Sequence, residues 1–248
     1  MPKRSEKQGV AGRSVVIPAQ QTAGLVLEVE GLTPLICHRF GDKARIQLRE
    51  AHEKAATKAK KAPRGPEEIA SEIMACHYLV AGNESAKPTE GRFGFPSSGF
   101  KSAAVAAAPF GTGLFKSRAK SMFFVVGEVV PILCDRIEPR EDAVRLENGV
   151  VQLRYRPYYL GWKARFGIQY SPETMTPEQI TNLFDLAGTM VGIGERRPGK
   201  TGETYGQWKI TGLDSCAVAD LPKFMLAPEA NTLLERATLV AQKLGAVS

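Results

Sequence analysis

Apolar and polar residues first alternate near Ala23, where "GLVLEVEG" reads as a half-buried strand. "TPLICHRF" follows as a connector carrying Pro34. From Asp42 to Ala62 the period lengthens, and Ala44, Leu48, Ala51 and Ala55 line one stripe of a helix whose cations gather toward its C-terminal end. "APRGP" interrupts it, and "PEEIASEIMACHYLV" starts a second helix with Pro66 and two glutamates in its first turn. A polar loop leads through a short strand in "GRFGFP" to "SSGFKSAAVAAA", an alanine-rich helix with Ser97 or Ser98 as its expected N-cap. Phe123 to Val130 is a strand; Pro131 to Asp135 continues or pairs with it, and the proline argues against a central position. "NGVVQLRYRPYYLGWKARFGIQY" holds two strand-like runs split by "PYYLGW". In "TPEQITNLFDLAGTMVG", Thr176 and Gln179 have capping-box spacing and Pro177 takes the first helical position. Ile180, Leu183, Phe184 and Ala187 form its apolar face. A glycine-rich loop, "VGIGERRPGKTGETYGQW", then leads into a strand in "TYGQWKITGL", and a last helix begins near Pro228.

This order predicts an α+β fold: a ferredoxin-like (RRM-like) antiparallel sheet with helices on one face, the other face free, and insertions. Residues 1–22 form a basic arm. Residues 23–248 form one domain with inserted helices at about 42–80 and a C-terminal helix. A hydrophobic content of 43% over 248 residues supports a real core. The longest apolar runs, "MFFVV" and "AAVAAA", fall far short of the ~20 residues of a membrane-spanning helix. The N-terminal cations have no apolar stretch behind them, so a cytoplasmic location without membrane contact is expected. Cys37, Cys76, Cys134 and Cys216 form no C-x-x-C pair, and the histidines are His38, His52 and His77. Buried thiols in a reducing compartment, no metal site and no cofactor are expected.

Charge narrows the function. The chain carries 33 Lys and Arg against 26 Asp and Glu, a net +7. The first 64 residues hold 13 of these cations and 6 of the acids, which accounts for the excess. Beyond them the cations cluster: Arg92, Lys101, Lys116, Arg118 and Lys120 lie in an acid-free stretch, and so do Arg154, Arg156, Lys163 and Arg165. Such clustering points to a polyanion partner, with ordinary solvated faces as the alternative for any one cluster.

In the glycine-rich loop, Gly192, Gly194, Gly199, Gly202 and Gly206 surround Arg196, Arg197 and Lys200. Exposed amides beside guanidinium forks suit phosphate oxygens; a slack hairpin is the alternative. The loop lacks G-x-x-x-x-G-K-[ST] and follows a helix, which argues against nucleotide-triphosphate hydrolysis. Ser98 and Lys101 at a helix start make a second candidate anion site. In "LRYRPYYLGWKARF" the cations interleave with Tyr155, Tyr158, Tyr159, Trp162 and Phe166. That mixture fits sequence-tolerant single-strand binding, phosphates on cations and bases on rings; Tyr155 and Phe166 as core residues are the alternative.

"FPSSGFKSAAV" resembles the segment that opens a helix in the RAMP superfamily, the repeat-associated proteins that build CRISPR effector backbones. "GIGERRPGKTGETYGQW" resembles that superfamily's glycine-rich loop, in the same order along the chain. Ser102 stands where a second glycine is usual, and the closing G-x-G has become Tyr205-Gly206. The resemblance implies an RRM-like palm that binds a single strand along its backbone and stacks head to tail, with Ser98, Lys101, Arg196, Arg197 and Lys200 on phosphates. The full expected nucleic-acid-binding set is Ser98, Lys101, Lys116, Arg118, Lys120, Arg154, Arg156, Trp162, Lys163, Arg165, Arg196, Arg197, Lys200 and Tyr205. The expected function is non-enzymatic coating of single-stranded DNA or RNA by a homo-oligomeric filament. Two alternatives stand beside it. One is a metal-independent RNA-processing nuclease using His38 with Arg39 or Lys43; the other is an assembly protein that meets an acidic partner.

Overall fold

The computed structural model describes residues 19–39, 65–82, 85–145, 149 and 151–224. Most of the basic arm, Lys43, the helix expected over 42–62 and the one expected from Pro228 lie outside the described residues. In chain order the elements are β1 (Ala23–Gly31), β2 (Leu35–Ile36), α1 (Pro66–Ala75), β3 (Tyr78–Leu79), β4 (Phe93–Pro96), α2 (Ser97–Ala107), α3 (Pro109–Thr112) and α4 (Lys116–Met122). They continue with β5 (Phe123–Val125), β6 (Val129–Leu133), β7 (Arg136–Arg145), β8 (Val151–Leu160), β9 (Lys163–Tyr170), α5 (Pro177–Met190), α6 (Pro198–Thr201) and β10 (Trp208–Cys216).

The main sheet runs β10-β1-β9-β6-β4-β3, every neighbouring pair antiparallel, with β5 also paired to β9. Within it, β10, β1, β9 and the β5/β6 pair, joined through α2 and α5, reproduce the ferredoxin-like plan. The fold is α+β, as the strand and helix order implied. Alternation explains which face carries the helices. Leu25, Leu27 and Val29 of β1 share the core with Ala164, Phe166, Ile168 and Tyr170 of β9. Phe100 of α2 meets Phe166 at 4.7 Å and Trp208 at 5.7 Å, and Phe184 of α5 meets Phe166 at 5.7 Å. α5 begins as its sequence dictates: Thr176 Oγ1 accepts from the Gln179 amide and Gln179 Oε1 from the Thr176 amide.

Several local expectations are corrected. α1 stops at Ala75, and Tyr78–Leu79 pairs with Phe93–Gly94, so the apolar end of "MACHYLV" is strand. Neither serine caps α2: Pro96 is the N-cap residue, and Ser97 donates its hydroxyl to the Gly127 carbonyl. Pro131 lies inside the sheet, between β4 and β9. The ladder to β9 covers only Ile132 and Leu133, so the missing N–H falls where that ladder stops. β8 runs unbroken through Pro157, Tyr158 and Tyr159; the split comes at Gly161, whose φ is +60° and where a Cβ would strike the Asp135 carboxylate.

The sheet face away from the helices is only partly open. Residues Val218–Phe224 cross it, and Leu221, 1% exposed, sits where Gly24 and Gly167 leave room for it. The uncovered strip carries Glu28, Glu30, Lys163, Arg165, Lys209 and Asp214 in mutual ion pairs.

Candidate nucleic-acid interface

Beyond the sheet the chain makes a long hairpin, β7 against β8, in unbroken register from Arg136↔Leu160 to Arg145↔Val151. That register puts Arg140 and Asp142 of β7 on one face with Arg154, Arg156 and Tyr158 of β8, and turns Tyr155 and Tyr159 to the other. Tyr159 is buried in the core. Beside the hairpin base lies β2, with Leu35 and Ile36 paired to Tyr159 and Tyr158.

The glycine-rich loop folds against this base. Ile193 enters the core, the Glu195 amide donates to the Ile36 carbonyl at 2.9 Å, and the Gly206 amide donates to the Pro34 carbonyl at 2.9 Å. Gly194 and Gly206 have φ of +79° and +67°, and a Cβ on Gly194 would lie 2.5 Å from the Ile36 oxygen. These glycines serve close packing of the loop on β2. The amides of Ile193, Glu195, Gly199, Lys200, Gly202 and Gly206 all donate within the protein, so these six are not available to a phosphate.

Hairpin and loop are joined through one carboxylate. Asp142 is 4% exposed. Its Oδ1 accepts from Arg140 Nε at 3.0 Å and Arg196 Nη1 at 2.6 Å, and its Oδ2 from Arg156 Nη1 at 3.4 Å. Burial alone would raise the pKa of this carboxyl, but hydrogen bonds from Arg140 and Arg196, with their charges, hold it below the ordinary value. Arg196 has a left-handed backbone, φ 55°, and also grips Glu203 with Nε at 2.9 Å and Nη2 at 2.7 Å. Arg140 donates to the Tyr205 hydroxyl at 3.1 Å and lies over the rings of Tyr205 and Tyr158. Arg197 donates to the Gly194 carbonyl at 2.7 Å, and Lys200 pairs with Glu195 at 2.8 Å.

His38 follows β2 into the same corner. Its Nε2 lies 3.5 Å from Arg154 Nη1 and its Nδ1 3.4 Å from Cys76 Sγ. A guanidinium can only donate, so Nε2 accepts and the proton sits on Nδ1. Burial, then the charges of Arg156 and Arg154, push His38 down to about 4. Burial and Arg92 push His77, bonded to the Tyr159 hydroxyl and stacked on Phe93 at 3.9 Å, down to about 4 as well. An imidazole in that state is a weak base near neutral pH.

A pH dependence follows. Between about 4 and the ordinary 6.5, the unfolded chain binds protons on these histidines that the folded chain refuses. Stability is therefore full above pH 6.5 and is lost as pH falls toward 4. The urea midpoint is expected to drop between about pH 7.5 and about pH 5, and to drop less in His77→Gln.

The structure does not gather all the expected binding residues at this corner. It brings together Arg154, Arg156, Arg196, Arg197, Lys200, Tyr205 and His38. Arg156 is 3% exposed, a buried partner of Asp142 and not a surface cation. Trp162 is 0% exposed and donates Nε1 to the Thr33 carbonyl at 2.8 Å, so it is a core residue with no ring face for a base. Lys163 and Arg165 lie on the sheet strip, the first paired with Glu30, the second with Glu28 and Asp214. Ser98 is exposed in the first turn of α2, and Lys101 Nζ lies 4.0 Å from the Phe124 ring centroid. Lys116, Arg118 and Lys120 are exposed on α4. Arg140, Asp142, Glu195 and Glu203 were not among the expected site residues. The Asn148-Gly149 dipeptide, a strong short hairpin signal, would have revealed β7 and with it Arg140 and Asp142.

No protein-family model matches the chain, and no curated protein matches it. Among solved structures it is similar to the Type III-B Cmr-beta solved by cryo-EM bound to cognate target RNA, at 8% identity and a TM-score of 0.43 over 79% of this chain. The chain spans 61% of the length of that one. It is also similar to Cmr6 from Pyrococcus furiosus, solved by crystallography, at 9% identity and a TM-score of 0.38 over 78% of this chain and 100% of that one. Among the described residues, no helix is long and apolar enough to cross a membrane.

Proposed function

We propose that the protein binds single-stranded nucleic acid along its phosphates and coats the strand by head-to-tail oligomerisation, without catalysing a reaction. The observation that carries this reading is uncompensated positive charge where the hairpin meets the glycine-rich loop. Among the described residues, Arg140, Arg154, Arg156, Arg196, Arg197 and Lys200 gather there around the carboxylates of Asp142, Glu195 and Glu203, with Glu72 near Cys76. Arg154 and Arg197 have no carboxylate partner among the described residues. The internal carboxylates hold the guanidiniums in place, and the excess charge remains for phosphate. Stacking one surface of a subunit on a different surface of the next gives an open filament when it does not close into a ring.

The test is binding of fluorescent DNA and RNA single strands of about thirty nucleotides at two salt concentrations, long enough to span more than one site. Log K is expected to fall with log salt by about 0.7 per phosphate neutralised, and Arg154→Ala/Arg197→Ala to bind more weakly with a slope shallower by about 1.4. Failure to bind either strand, or binding indifferent to salt, would refute the reading.

A further inference from the structure

At the hairpin corner the rings of Tyr158 and Tyr205 are already occupied by Arg140, and Trp162 is buried. Among the described residues, the face carrying those arginines offers no unoccupied ring for the bases of a strand held there by its phosphates. The described phenylalanines that do face solvent lie elsewhere. Phe110 is 49%, Phe115 77% and Phe124 50% exposed. All three fall between residues 109 and 124, around α4.

The packing of α4 explains what it shows to solvent. Ala119 is buried and Met122, one turn later, packs against the core. Arg118 and Lys120 flank the buried Ala119, Lys116 opens the helix, all three are exposed, and none makes an ion pair among the described residues. Lys101 reaches the Phe124 ring from α2. From Gly91 to Gly127 the sequence contains no aspartate or glutamate. Exposed rings beside unpaired cations, with no acid among them, match a polyanion that also offers flat apolar faces, and a single strand is such a ligand. A second copy meeting this surface face to face would set cations against cations.

Building on the strand-binding reading, we propose that residues 109–124 form a base-stacking platform. Phe110 and Phe115 stack on bases, and Lys116, Arg118 and Lys120 hold the flanking phosphates.

Because Trp162 and Trp208 are both 0% exposed, a Phe115→Trp variant reports on this surface over a silent background. Its emission is expected to be quenched by an oligothymidylate of about thirty nucleotides, and not by an abasic strand of equal length and charge. Phe110→Ala/Phe115→Ala is expected to weaken oligothymidylate binding about tenfold while leaving abasic-strand affinity and the salt slope unchanged. Equal loss on both strands, or no loss with unquenched emission, overturns the platform alone. A changed oligomeric state of the strand-free double variant would make the surface a protein interface and also overturn it. If the wild type binds neither strand, the strand-binding reading falls and the platform with it.

Discussion

Asp142→Ala is expected to destabilise the protein by about 3–5 kcal/mol, the range for removing one partner from a buried charge cluster. Arg156 has almost no access to water, and its only carboxylate among the described residues is Asp142, so the variant leaves a guanidinium buried and uncompensated. The same change frees Arg140 and removes one of the two acids that hold Arg196 in its left-handed backbone. Three cations would then face one another across the hairpin and the loop. Asp142→Asn keeps the volume and part of the hydrogen bonding, so it is expected to lose less. Urea unfolding at neutral pH checks both, read as a shift in midpoint at constant slope. A loss below about 1 kcal/mol for the alanine variant would mean that the guanidiniums find other partners and that Asp142 is not the clamp.

Trp162→Ala is expected to cost a similar amount, about 3–5 kcal/mol, by leaving a cavity in a packed core. The indole lies between Gly31, where a Cβ would run into the ring, and the Thr33 carbonyl that accepts its N–H. It also stands at the turn from the hairpin into β9 and so fixes where the hairpin leaves the sheet. Native tryptophan emission is expected to be blue-shifted and unchanged by saturating oligonucleotide. Quenching in the wild type would show that Trp162 or Trp208 reaches bases, contrary to their burial.

What could be read from the sequence depended on whether a segment's burial followed its hydrophobicity. In α5 it did: Ile180, Leu183, Phe184 and Ala187 are apolar at helical spacing and are the side chains that pack, so element, cap and face were all legible. β1 and β9 set their large core residues at a two-residue spacing, although Val26 and Gly167 are buried on the other face as well. "RIEPREDAVR" did not, because its structurally decisive residue is a buried aspartate whose environment is built by arginines from β8 and from the loop at 196. A polar residue buried by distant partners leaves no periodic trace. The glycine-rich loop misled for a related reason. Its composition suggests exposed backbone, whereas Gly194 and Gly206 are there because β2 and Ile193 press against them. Apart from Arg140, the arginines of the site were found from sequence; the carboxylates that arrange them were not.

The sheet strip left open beside Val218–Phe224 holds three acids and three bases in adjoining pairs. Charges of alternating sign so close together cancel within a screening length of about 8 Å at physiological ionic strength. From further away these six charges together exert almost no field. Among the described residues, the cations of α4 and those at the hairpin corner are not balanced in this way, so under the strand-binding proposal a charged strand would be steered to those faces and not to the sheet strip.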